Sequence, residues 1–216
     1  MSLTVLEEYI ETGNHQDLDV LLRANPELTK QNTSHDISPL LLACYYNKPV
    51  IVQTILKYSS SLTIHEAAAA GLTEQVDLMV KQKPEVKDEL SSHGFTALGI
   101  AAHFGREDIV RLLLKNLADP NISSQNGYSV FPLHAALSIN HDGIAKMLIE
   151  AGAEVNILQA SRITPLHLAA QHGNIDLIII LLENGADITV KNDFGLTASD
   201  LADEKGYKEI ASILQV

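Results

Sequence analysis

The chain has little cysteine and no long apolar segment. It contains no tryptophan and a single cysteine, Cys44, which cannot form a disulfide within the chain. That usage is typical of a reducing compartment, so we expect a cytoplasmic protein. The longest strongly apolar run, Leu177 to Leu182, is much shorter than the about 20 residues that a membrane-spanning helix needs. The first residues are acidic where a signal peptide would be basic. We therefore expect no membrane association.

Basic residues are also scarce. The chain has 15 Lys and Arg against 27 Asp and Glu, so its formal net charge is −12. A surface of that sign repels phosphate backbones unless a local basic patch outweighs it. The sequence has no such patch, so we predict no nucleic-acid partner. We also expect a monomer.

The usual signatures of catalysis and metal binding are missing. No CxxC or HExxH pair, and no glycine-rich phosphate loop of the Walker type, occurs in the chain. The carboxylates fall at positions expected to be exposed, without a paired motif for acid–base work. We therefore predict no enzyme activity, no cofactor and no metal. A hydrolase hidden in the fold stays the least favoured alternative.

What the chain does have is an internal repeat. Aligning on the threonine of TPLHLAAQHG (Thr164 to Gly173) finds equivalent residues along the whole sequence. These anchor positions are Thr4, Ser38, Leu62, Thr96, Phe131, Thr164 and Thr197. The steps between them are nearly equal, except that the step from Ser38 to Leu62 is shorter. A regular period of about 33 residues predicts a repeat architecture.

One unit shows why each repeat should fold as two short helices. Pro165 suits the first turn of a helix, since it has no N–H to leave unpaired. Gly173 suits the left-handed conformation that ends a helix. A second helix is predicted after it by apolar residues at helical spacing, and Gly185 ends that helix. Such a pair buries little surface alone, so neighbouring units must stack.

The segments TPLHLAAQHGNIDLIIILLENGADI, FPLHAALSINHDGIAKMLIEAGAEVN and TALGIAAHFGREDIVRLLLKNLADPN resemble the ankyrin repeat. The resemblance covers nearly the whole chain. It implies an all-α-dominated solenoid of helix-turn-helix units with short β-hairpin loops, about seven repeats including both caps. We expect one domain over residues 1–216. It also implies that His65, His134 and His167 form structural hydrogen bonds between units and are not metal ligands.

A second, longer repetition explains the short step from Ser38 to Leu62. One constant shift aligns Ser34 to Asn47 with Ser92 to Gly105, and the same shift aligns Pro26 with Pro84. We therefore expect a first cassette over residues 1–61 and a second cassette with further repeats over 62–216. The hairpin that should join them is predicted to be deleted, which would interrupt the row of hairpins.

The family resemblance also implies where a partner would bind. Ankyrin repeats usually contact their targets through the hairpin tips and through the two residues that precede the glycine ending the first helix. Six of the ten Phe and Tyr residues fall on such positions, and these rings are good interface anchors. The alternative is that they only fill gaps between repeats. The predicted partner-binding residues are Tyr45, Tyr46, Phe95, His103, Phe104, Tyr128, Arg162, Gln171, His172 and Phe194.

The resemblance therefore predicts a non-catalytic module that presents a rigid concave surface to a protein partner. Two kinds of interaction protein stay open: a passive scaffold, and a regulator or inhibitor that occludes a partner enzyme. The sequence does not separate them, and it does not identify the partner.

Overall fold

The computed structural model describes residues 2–215, and it consists mainly of helices joined by short turns. Within these residues fourteen α-helices form seven consecutive pairs, and no strand is present. Three 3-10 helices span Pro26–Lys30, Pro84–Lys87 and Ala160–Arg162. The α-helices are α1 (Ser2–Thr12), α2 (His15–Ala24), α3 (Pro39–Tyr45), α4 (Pro49–Tyr58), α5 (Ile64–Ala70), α6 (Thr73–Gln82), α7 (Ala97–His103), α8 (Glu107–Lys115), α9 (Pro132–Ser138), α10 (Asp142–Glu150), α11 (Pro165–His172), α12 (Ile175–Glu183), α13 (Ala198–Glu204) and α14 (Lys208–Ile213).

The chain forms two compact units, Met1–Gln75 and Val76–Val216, which we call unit 1 and unit 2. In unit 1, the first helices of successive pairs lie side by side, α1 against α3 and α3 against α5, while α2 packs on α4. Leu6, Ile10, Leu18, Leu22 and Ile55 are fully buried. These apolar stripes hold the unit together, because each helix pair has too little core of its own.

Unit 2 repeats this arrangement over more pairs. Helices α7, α9, α11 and α13 pack in that order, and α8, α10 and α12 pack behind them. The alanine pairs of the first helices, such as Ala101 and Ala102, are completely buried. Their small side chains let neighbouring helices approach closely, as the sequence predicts.

Most first helices start where the anchor residues predict. The hydroxyls of Ser38, Thr96 and Thr164 each accept a hydrogen bond from the backbone N–H three positions further on, which is an N-cap. Two anchors depart from the prediction. In α5 the cap is Thr63, the residue after Leu62, and Thr4 lies inside α1.

The displaced cap of α5 also affects His65, which the family resemblance groups with His134 and His167. The third helical residue, which completes the capping box with Thr63, is Glu66, and His65 precedes it. His65 is nevertheless buried. Its place in this helix therefore differs from that of His167, which is itself the third residue of α11.

The longer repetition is confirmed by the helix bounds. Helix α2 (His15–Ala24) maps onto α6 (Thr73–Gln82), and α3 (Pro39–Tyr45) maps onto α7 (Ala97–His103). The two 3-10 helices that begin at Pro26 and Pro84 also correspond. Between α4 and α5 only residues 59–63 intervene, and they form no hairpin. The division into cassettes at residue 61 stays a prediction.

The predicted β-hairpins are simpler than expected. They are tight turns closed by a backbone hydrogen bond, for example from Ser91 N–H to Phe95 O at 2.8 Å. Within residues 2–215, β-pairing is limited to two isolated bridges, Leu90 with Thr96 and Gln159 with Ile163. The arms are too short to form strands, because the chain enters a helix directly after each turn.

Candidate protein-binding surface

Four turns of unit 2 are joined into a continuous row, which we call the turn row: residues 91–95, 124–130, 159–163 and 192–196. Backbone hydrogen bonds connect each turn to the next. Gln125 N–H donates to Gly94 O at 2.9 Å, Ala160 N–H donates to Tyr128 O at 2.8 Å, and Asp193 N–H donates to Ser161 O at 3.0 Å. This ladder places the tips of the turns side by side.

Side chains inside the turns fix their conformation. The buried amide of Asn192 accepts hydrogen bonds from the backbone N–H groups of Phe194 and Leu196, each at 3.0 Å. In the wider turn, Asn126 accepts from Tyr128 N–H at 3.2 Å. These are local side-chain turns of the kind that Asn and Asp favour. The backbones that carry Tyr128 and Phe194 are therefore held in place before any partner arrives.

Two histidines hold the turns onto the helices. His134 Nε2 lies 3.0 Å from Ile163 O, and His167 Nε2 lies 3.1 Å from Leu196 O. Each bond starts from the first helix of one repeat. It ends at the turn that lies just before the first helix of the next repeat. The structural role predicted for His134 and His167 is thus confirmed. They also position the turns that carry Arg162 and Phe194.

The two histidines differ in their second ring nitrogen. His167 Nδ1 accepts from Thr164 N–H at 3.2 Å and lies 2.7 Å from the Thr164 hydroxyl. Phe131 replaces that threonine ahead of His134, and His134 Nδ1 is buried without a hydrogen-bond partner. Burial lowers the pKa of His134 to about 4. The neutral form is favoured because the site offers no acceptor for a second proton.

The structure divides the predicted aromatic residues into two groups. In unit 2, Tyr128 is 64% exposed and Phe194 is 77% exposed at the turn tips. Phe95, His103 and Phe104 are half-buried. The rings of His103 and Phe104 contact each other edge to face, with their centroids 5.0 Å apart. Phe95, His103 and Phe104 are therefore less accessible to a partner than Tyr128 and Phe194, and whether they bind a partner or fill gaps between repeats stays a prediction.

The remaining predicted residues of unit 2 are polar and exposed. Arg162 lies at the tip of the third turn, and Gln171 and His172 end helix α11. Ser161 and Arg162 have φ angles of 61° and 56°. Two successive left-handed residues other than glycine are costly, about 1–2 kcal/mol each. The turn keeps Arg162 at its tip despite this cost.

In unit 1 the two predicted tyrosines are both exposed. Tyr45 is the last residue of α3 and is 50% exposed, and Tyr46 caps the helix and is 41% exposed. The hydroxyl of Tyr46 donates to a carboxylate oxygen of Glu11 in α1 at 3.0 Å. Both side chains are therefore accessible at the surface of unit 1.

Two asparagines that connect successive repeats of unit 2 by hydrogen bonds were not identified from the sequence. Asn121 donates to Gly152 O at 3.0 Å and accepts from Glu154 N–H at 2.8 Å. Asn156 makes the same two bonds, to Gly185 O at 2.9 Å and from Asp187 N–H at 2.8 Å. Their recurrence at equivalent places, in ADPN and AEVN, was the available signal.

Within residues 2–215, no three His, Cys, Asp or Glu side chains are grouped closely enough to hold a metal ion. Cys44 is buried in α3. Across the same residues, no helix is at once long enough and apolar enough to span a membrane.

Comparison with known proteins agrees with this architecture. The family described as ankyrin repeats (3 copies) matches residues 64–159 and 133–215. Ankyrin repeat and SAM domain-containing protein 6 of Rattus norvegicus is 33% identical over 90 residues, covering 42% of this chain and 10% of that protein. Ankyrin repeat-containing protein P1E11.10 of Schizosaccharomyces pombe is 41% identical over 58 residues, 27% of each chain.

A third relative carries a functional name. Protein phosphatase 1 regulatory subunit 12A of Mus musculus is 34% identical over 73 residues, covering 34% of this chain and 7% of that protein. The chain thus spans between 7% and 27% of the length of these relatives. The family match covers well over half of the chain. Together with the paired helices and their repeated caps, it shows that the chain belongs to the ankyrin repeat family.

Proposed function

We propose that the chain is a non-catalytic protein-binding module and that the turn row of unit 2 is one of its binding surfaces. The observation that supports this most is the joining of Tyr128, Arg162 and Phe194 on adjacent, hydrogen-bonded turns. Tyr and Arg are among the residue types most enriched at the energetic centres of interfaces. Family membership favours the same conclusion, since ankyrin repeats generally mediate protein–protein contacts.

The proposed mechanism is rigid presentation. The turns are fixed by Asn126, Asn192 and the two buried histidines, so little ordering entropy is lost when a partner binds. Gln171 and His172, exposed at the end of α11, would add polar contacts beside the turn row. Phe95, His103 and Phe104 would contribute the parts of their rings that stay accessible.

The test is affinity capture from the lysate of the source organism, with bound proteins quantified by mass spectrometry. We expect the wild-type chain to retain specific proteins that a Tyr128→Ser, Phe194→Ser variant loses. The matched control is Leu117→Ser, Ile179→Ser, which removes two other exposed apolar side chains of unit 2. Loss of the same proteins by both variants, or by neither, contradicts the assignment to the turn row.

A regulatory role is a second candidate. It is favoured by the name of one relative, a regulatory subunit of protein phosphatase 1. The activity of the partner separates a regulator from a scaffold. A captured enzyme whose turnover falls in proportion to the bound chain supports regulation, and unchanged turnover at saturation supports a scaffold.

The single buried cysteine suits a reducing compartment, and we propose that the module works in the cytoplasm as a monomer. Imaging of a fluorescent fusion tests the location. Light scattering of the purified chain tests the monomer, and a molar mass twice that of the single chain is the contradicting result.

A further inference from the structure

Three segments of unit 1 meet at a surface that combines tyrosines and carboxylates. The Tyr46 hydroxyl donates to Glu11 at 3.0 Å. The Ser34 hydroxyl donates to Glu7 at 2.8 Å, and the Ser34 backbone N–H donates to the other oxygen of the same carboxylate. These bonds join α1 to the turn at 33–37 and to the end of α3. We call this surface the tyrosine–glutamate patch: Glu7, Glu11, Ser34, Tyr45 and Tyr46.

The charge around this patch is mainly negative. Residues 2–13 and 33–47 contain Glu7, Glu8, Glu11 and Asp36 but no Lys or Arg. Lys48 follows the second segment, and its side chain lies beside Gly13. This negative charge affects Tyr46. The pKa of Tyr46 is raised mainly by its hydrogen bond to Glu11, and also by burial and by the charge of Glu7.

The carboxylates keep capacity for further bonds. A carboxylate has about four acceptor positions, and the contact with Tyr46 uses one position on Glu11. Tyr46, whose hydroxyl lies on Glu11, is 41% exposed, and Tyr45, the residue before it at the end of α3, is 50% exposed. Flat aromatic faces next to fixed carboxylates form a site for a planar cation.

We propose that the tyrosine–glutamate patch binds an arginine-bearing segment of a partner protein. A guanidinium group stacks on tyrosine rings and donates paired hydrogen bonds to carboxylates, whereas the ammonium of lysine is a more strongly hydrated point charge. The patch therefore selects arginine over lysine. This inference rests on the proposed function for its premise that the chain is a binding module, but it concerns a different surface and a defined partner chemistry.

The experiment measures binding of fluorescein-labelled, end-blocked nonapeptides to the full chain by fluorescence anisotropy. The probes alternate glycine with arginine, with lysine or with glutamate. We expect the arginine peptide to bind more tightly than the lysine peptide by about fivefold. We expect no binding of the glutamate peptide. Binding of the arginine peptide should weaken as salt is raised, because carboxylates supply much of the attraction.

The matched variants carry the same net charge. Glu7→Gln, Glu11→Gln alters the patch, while Glu27→Gln, Glu74→Gln removes two exposed carboxylates of unit 1 elsewhere. We expect about tenfold weaker binding of the arginine peptide to the first variant and little change in the second. Equal weakening of both variants, equal affinity for arginine and lysine peptides, or no binding overturns the proposal.

A further variant tests the contribution of a tyrosine ring to peptide binding. Tyr45→Ser should weaken binding of the arginine peptide and reduce its advantage over the lysine peptide, with helix content checked by circular dichroism. The Tyr128→Ser, Phe194→Ser variant should bind the arginine peptide as the wild type does. If the arginine peptide does not bind but the Tyr128→Ser, Phe194→Ser variant loses proteins that the wild type captures, this inference alone is rejected. If the arginine peptide binds but that variant captures the same proteins as the wild type, the turn row alone is rejected.

Discussion

At the scale of single residues, His134 makes stability depend on pH. Its pKa is lowered from 6.5 to about 4 by burial. The unfolded chain therefore binds more protons than the folded chain between these two values. We expect the contribution of His134 to the free energy of unfolding to fall by about 3 kcal/mol as the pH drops from 6.5 towards 4, and that contribution to change no further at lower pH. Urea titrations at several pH values measure this dependence.

The control replaces the titratable group. His134→Gln keeps a side-chain donor for Ile163 O but cannot take up a proton, so its stability should fall less between pH 6.5 and 4. His172→Gln changes an exposed histidine and should retain the wild-type dependence. An identical pH profile for wild type and His134→Gln would contradict the role assigned to His134.

At the scale of elements, the turn row depends on close approach of two backbones. Gly94 has a φ of +74°, and a Cβ added there would lie 2.8 Å from Gln125 N. The same Gln125 N–H donates to Gly94 O. Gly94→Ala should therefore strain the turn and displace the first bond of the ladder. We expect a loss of about 3 kcal/mol of unfolding free energy in urea titrations.

Gly127 is the matched control for this prediction. Its φ of +85° is similar, but a Cβ added there meets nothing within 4 Å. Gly127→Ala should cost only the backbone strain, about 1–2 kcal/mol. Equal losses for the two variants would mean that contact with Gln125 contributes nothing beyond the φ angle of Gly94.

The whole molecule carries an excess of negative charge that should oppose folding. Its 27 acidic residues outnumber 15 basic residues, so like charges repel more than they attract on average. Raising NaCl from about 10 to about 100 mM shortens the screening length from about 30 to about 10 Å. We expect Tm to rise by a few degrees over this range, as measured by circular dichroism.

Reducing the charge should reduce this response. Glu204→Gln, Glu209→Gln removes two exposed carboxylates near the end of unit 2. Its Tm should depend less steeply on salt than that of the wild type. A Tm that falls as salt is added would mean that exposed ion pairs, such as Lys208 with Asp203, outweigh the general repulsion.

Much of the fold could be predicted because local signals repeat. Prolines at helix starts, hydroxyl caps and glycines at helix ends each act over a short stretch of chain, so a pattern found once applies wherever it recurs. The longer repetition predicted matching helices, and the structure places them in the same register. The start of α5 could not be placed as well, because Leu62 and Thr63 compete for the cap and only the hydroxyl satisfies a backbone N–H.

The candidate surfaces were predicted only in part. The sequence by itself determined the repeated helix pairs and the positions at which side chains leave each turn, since both follow from short-range geometry. Only the tertiary structure decided that Tyr128 and Phe194 stay exposed while Phe95 and Phe104 are half-buried. It alone brought Glu11 onto Tyr46 and joined the turns by backbone bonds. Exposure and pairing depend on neighbours that are about one repeat away along the chain, whose approach is set by packing between repeats.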